Sequence, residues 1–102
     1  MSRSLDSCIK CDRIHQHLLY LKNIHKDYHN GPVKGSGSKD SDICIVGLAP
    51  GLHGANRTGD VFNGDFSGNV LNNCLAEAGF RKSFENNYPF ITNAVKCYPE
   101  NN

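Results

Sequence analysis

Apolar residues recur at three- and four-residue spacing over residues 8–28, where Ile14, Leu18, Leu21 and Ile24 or His25 share one face. That spacing predicts a helix, and Asp6 and Ser7 offer it N-cap oxygens. The pattern lapses over 29–42, HNGPVKGSGSKDSD, a polar Gly/Ser/Pro stretch that reads as a loop or linker. Ile43-Cys44-Ile45-Val46 then predicts a buried strand over 42–48. Helical spacing returns over 66–78, with Val70, Leu71, Cys74, Leu75 and Ala78 on one face and Gly79 as its stop. A polar connection over 81–88 leads to a second strand over 90–95. Helix, strand, helix, strand is the opening of an α/β layered fold with a parallel sheet. No internal repeat interrupts it.

The segment between the first strand and the second helix, 47–65, reads GLAPGLHGANRTGDVFNGD. Five glycines and one proline alternate there with His53, Asn56, Arg57, Thr58, Asn63 and Asp65. A loop of this kind after a strand delivers ligand-binding groups to the carboxyl edge of a parallel sheet. Its glycines let backbone N–H groups approach a ligand. The alternative is an ordinary strand-to-helix connection, but unstructured connections of this length are uncommon and usually functional.

Composition narrows the picture modestly. The chain has 102 residues, with Lys plus Arg 11 against Asp plus Glu 10 and a net charge of +1. This is one small domain with one modest core and no global sign of nucleic-acid binding. No apolar run approaches a membrane span, and the N-terminus lacks a signal-peptide core. A soluble cytoplasmic protein is the expectation. The five cysteines then point to metal or structural roles rather than a disulfide framework.

Cys8 and Cys11 form a C-x₂-C pair suited to one metal atom or two corners of an iron–sulfur cluster. Cys97, at a strand end, is the third candidate ligand. A redox-active pair is a weaker rival, because such motifs follow a strand. A zinc site completed by a histidine is the closer rival. Cys44 and Cys74 read as buried small hydrophobes. His15, His17, His25 and His29, on or near the first helix, read as solvated surface residues. Asn93 presents one acceptor and two donors at the end of the second strand, a match for the edge of a pyrimidine. Phe62 is the one aromatic in the Gly-rich loop, placed either to stack on a flat ligand or to anchor the loop.

GLAPG-x-HGANRTGD-x-F-x-GD followed by ITNAVKC-x-P resembles the uracil-DNA glycosylase superfamily, closest to its iron–sulfur families 4 and 5, family 5 above all. The match covers nearly the whole chain. It implies a three-layer α/β/α fold around a central parallel sheet: 1–28 would be the Cys-bearing helix, 29–41 the polar loop and 42–102 the start of the sheet. It implies a DNA glycosylase of base excision repair, which flips uracil or another deaminated base out of DNA and hydrolyses its N-glycosidic bond. By resemblance, Phe62 stacks on the base and Asn93 bonds its edge, discriminating it from cytosine. Gly47, Ala49, Pro50 and Gly51 lie beside the sugar, and His53 lies within the same binding loop. Cys8, Cys11 and Cys97 would be three ligands of a [4Fe–4S] cluster.

Departures from the classical pattern shape the expectation. Ala49 stands where the classical enzymes carry a water-orienting Asp, leaving Asn56 as the candidate for that role. Gly51 replaces a thymine-excluding Tyr, which implies a roomier pocket. Asp60 replaces an Arg and removes a phosphate or loop contact. The family's leaving-group His and fourth cysteine lie beyond residue 102. The expectation is therefore an N-terminal half, impaired or inactive alone, with a separately encoded C-terminal half as a candidate partner. A non-catalytic nucleic-acid-binding remnant and a small zinc module are the alternatives.

Overall fold

A computed structural model describes residues 5–80 and 88–101. The connection predicted over 81–88 lies outside them except for Tyr88. A 3₁₀ turn, Leu5–Ser7, precedes helix α1, Asp12–Ile24. Strand β1, Cys44–Gly47, is followed by a short helix α2, Ala55–Thr58, then by helix α3, Phe66–Glu77, and strand β2, Phe90–Asn93. Among the described residues no helix is long and apolar enough to cross a membrane.

β1 and β2 pair in parallel with Ile45 opposite Ile91 and Gly47 opposite Asn93. Parallel neighbours need a crossover, and α2 and α3 lie in this one. On one face Ile45 and Ile91 meet Val33, Ala55, Val61, Leu75 and Tyr88, with Phe62, Leu71 and Phe80 packed against them. Ile91 is 4% exposed. Ile91→Ala should therefore cost about 3 kcal/mol through lost transfer energy and a residual cavity, read as a lower urea midpoint.

α3 begins and ends as predicted. Asp65 caps it, its Oδ1 accepting from the Gly68 N–H at 2.9 Å, and Gly79 follows in the left-handed region at φ +93°. α1 is shorter than the predicted 8–28. Cys11, rather than Asp6 or Ser7, is its extended N-cap and makes no side-chain capping bond. Leu18 and Leu21 are buried while Ile24, the last residue of the helix, is exposed.

The buried-strand reading of β1 is corrected. Cys44 and Val46 point away from the core and are exposed, as are Cys74 and Val70 on α3. The cysteines are not the small buried hydrophobes expected, because the described elements cover only one face of a two-stranded sheet. The linker is also more than a loop. Val33 is 1% exposed and its N–H donates to Lys96 O at 2.8 Å, while Ser36 exchanges backbone bonds with Ile91. Residues 33–36 thus flank the outer edge of β2.

Candidate active site

β1 and β2 both run toward a cleft of about 330 Å³ at their carboxyl ends, lined by Leu48, Ala49, Pro50, Gly51, Ala55, Phe62, Asp65, Ser67 and Asn93. This is the location at which open parallel sheets bind ligands. Five of the residues singled out from sequence, Ala49, Pro50, Gly51, Phe62 and Asn93, come together here.

Asn93 ends β2 and is 3% exposed. Its Oδ1 is buried without a hydrogen-bond partner, which ordinarily costs 1–3 kcal/mol. A buried acceptor at the wall of a cleft is suited to a ligand that supplies the missing donor. Gly47, its neighbour across the ladder, is glycine for a steric reason. A Cβ there would stand 2.5 Å from Asn93 Oδ1 and 2.5 Å from Phe62 Cζ. Gly47 therefore backs the site without lining it.

Phe62 has φ +51°, an uncommon, strained conformation for a bulky residue. The Asn72 side chain holds it there, donating to Phe62 O at 3.2 Å. Gly68 allows the close approach, since a Cβ on Gly68 would meet Phe62 O at 2.4 Å. Such a costly backbone fixes the ring beside Asn93.

Asp65 was not among the residues assigned a role from sequence. It is the one carboxylate lining the cleft among the described residues. One oxygen caps α3. The other, Oδ2, turns to Gly51 and Gly54, where added Cβ atoms would stand at 3.2 and 2.2 Å. The signal available in the sequence was an aspartate at the N-cap of the helix that leaves a Gly-rich loop.

Asn56 and His53 lie elsewhere. Asn56 is fully buried beneath the loop and does not line the cleft. His53 is exposed, its Nδ1 2.8 Å from Tyr28 Oη, and the His25 ring stacks on Tyr28. The loop is braced from within: Arg57 donates to His53 O and Gly64 O, and Thr58 donates to Asn63 O. Asp60, which stands in place of an arginine, accepts from Asn63 Nδ2 at 3.2 Å.

Cys97 follows β2 and faces the start of α1. Glu100 reaches Arg13 at 2.9 Å and His17 at 3.7 Å, which draws the chain after β2 onto α1. Burial pushes the Cys97 thiol up, and the negative charges of Cys8 and Cys11 push it further. The three sulfurs therefore share one local field. As they stand, no three His, Cys, Asp or Glu side chains among the described residues are arranged to hold a metal ion.

The family described as the uracil DNA glycosylase superfamily matches residues 34–102. A type-5 uracil-DNA glycosylase of Thermus thermophilus is 35% identical over 98% of this chain and 52% of its own length. One of Mycobacterium bovis is 43% identical over 74% of this chain and 31% of its own. A type-4 enzyme of Archaeoglobus fulgidus is 37% identical over 98% of this chain and 41% of its own. The chain thus spans about half or less of the length of these curated relatives.

Proposed function

Because the chain belongs to the uracil DNA glycosylase superfamily, we propose that its cleft receives a uracil flipped from DNA and supports hydrolysis of its N-glycosidic bond. The observation that carries this reading is the convergence of Asn93, Phe62 and Asp65 on one cleft at the ends of both strands. Asn93 reads the base edge. Its unpartnered Oδ1 accepts the N3–H of uracil and its Nδ2 donates to O4, a pairing that cytosine reverses. Phe62 gives the base a stacking face.

Asp65 orients a water toward C1′ of the sugar. As the C1′–N1 bond breaks, the water oxygen bonds to C1′, its proton passes to the carboxylate, and uracil leaves with the bonding electrons. Gly51 and Gly54 leave room for the carboxylate itself, since a Cβ at Gly54 would stand 2.2 Å from Oδ2. Asp65 takes the role assigned from sequence to Asn56, which lies too deep to meet a substrate. The test is a titration of the 102-residue chain with free uracil, followed by NMR. Shifts should be confined to residues 47–51, Phe62, Asp65 and Asn93. Shifts clustered around Tyr28 and His53 instead would refute the assignment.

Cys8, Cys11 and Cys97 are the residues that would hold an iron–sulfur cluster. What supports this reading is the C-x₂-C spacing of Cys8 and Cys11 and the place of Cys97 after β2, since cysteine sulfurs are the soft ligands that iron–sulfur clusters take. When bound, such a cluster would tie the start of α1 to the end of β2. Reconstitution with ferrous iron and sulfide under argon should give a coloured protein containing iron and sulfide. Cys97→Ser should lose most of that iron, whereas Cys74→Ser should retain it. Stoichiometric zinc without sulfide uptake would favour a zinc site.

The partner surface follows from the sheet. Among the described residues β1 is paired along one edge only. Val46 is 60% exposed, Leu48 72% and Phe66 81%. An unpaired edge beside exposed apolar side chains is a template for a further strand and its covering helix. A polypeptide equivalent to the unmatched half of the relatives meets that requirement, whether joined to this chain or separate.

A further inference from the structure

We propose that Asn30 is a positioning residue of the cleft and acts through Asn56; the catalytic consequence rests on the uracil reading above. Asn30 lies in the polar stretch after α1, in the left-handed region at φ +49°, and is 1% exposed. Its N–H donates to Asn56 O at 3.0 Å. Its Oδ1 accepts from Asn56 Nδ2 at 2.9 Å, and its Nδ2 donates to His25 O, the C-cap of α1, at 2.8 Å. Next to it, the His29 N–H donates to Arg57 O at 3.0 Å. This is a reciprocal clasp between the end of α1 and the start of α2.

The clasp leads to the cleft. The Asn56 N–H donates to Gly51 O at 3.0 Å, and both Gly51 and Ala55 line the wall. Asn56 has one side-chain partner among the described residues, and that partner is Asn30. Its other amide contact is with Leu52 O at 3.4 Å, and its Oδ1 has none. Neither asparagine belongs to the hydrophobic cluster that holds the sheet. Their bonds serve the loop rather than the core. A continuous line of hydrogen bonds therefore runs from the Cys-bearing helix to the turn beside Asp65.

Native-state hydrogen exchange on the 102-residue chain tests this. Asn30→Gly removes the side chain while suiting the left-handed backbone. Asn56→Ala removes the other half of the clasp. Each should speed exchange of the Asn56 and Thr58 amides about tenfold, the scale of one buried hydrogen bond left unmade. The double variant should be slower than additivity requires, since the two variants share the loss of the bond between their side chains while each loses one further bond of its own, and α3 amides should keep their protection. A uracil titration of Asn30→Gly should show weaker binding than the parent.

Unchanged exchange at Asn56, additive increases, or an equal loss of protection in α3 would overturn the proposal. The last pattern is what a merely structural role produces. If the parent chain does not bind uracil, the base-site reading fails while the exchange pattern still decides whether Asn30 sets the loop.

Discussion

Asp65→Asn should lower uracil release by about 10²–10⁴-fold, the range that a positioned acid or base contributes, and leave α3 intact. Asparagine caps a helix about as well as aspartate, so the bond from the Gly68 N–H survives while the charge is lost. Asp65→Ala should lose the same activity and also about 1 kcal/mol of stability from the missing cap. The pair of variants separates catalysis from capping. Equal activity in Asp65→Asn and the parent would remove Asp65 from the mechanism.

Gly47→Val carries the second large effect. No side chain fits between Asn93 Oδ1 and Phe62 Cζ, each 2.5 Å from the position a Cβ would take. The strand can keep its ladder only by displacing the amide or the ring, at about 1–3 kcal/mol of overpacking. Uracil release should fall by about 10²-fold, since both base-contacting groups move together. Gly79→Ala is the matched control. Its left-handed φ of +93° makes it costly for stability, but nothing lies within 4 Å of its added Cβ. It should lower the melting temperature and leave excision per folded molecule unchanged.

The sequence announced the parts of this molecule that depend on local signals. α3 was legible at both ends because its cap and its stop are Asp65 and Gly79. The two strands were legible as short apolar runs, and their parallel pairing followed from the helix between them. What escaped was set by contacts distant in sequence. Val33 looked like one apolar residue in a polar linker, yet it is buried because its backbone pairs with Lys96. The exposure of Cys44 and Cys74 depends on which faces of the sheet are covered, which periodicity does not report.

The site shows the same division. Asn93 and Phe62 stood out by residue type at the end of a strand and within a glycine-rich loop, and the fold brings them to one cleft. Asp65 carries no such mark, because an aspartate just before a helix reads first as its N-cap. The structure brings a carboxylate to the same cleft from the far end of the loop. Asn56 stands out in the sequence as a polar side chain in the glycine-rich loop, but it is fully buried, which gives it the supporting part instead.

The most direct test of the account is an excision assay with a single uracil in an oligonucleotide. It compares the chain and its Asn93→Ala variant, each assembled with the separately expressed C-terminal half of the Thermus thermophilus relative. The account predicts abasic sites, read as strand cleavage after hot alkali, with the parent assembly, and at least about a hundredfold fewer with Asn93→Ala, from loss of the buried amide that reads the base. Equal cleavage by both assemblies would contradict it, because the cleft that Asn93 lines would then not be where uracil is recognised.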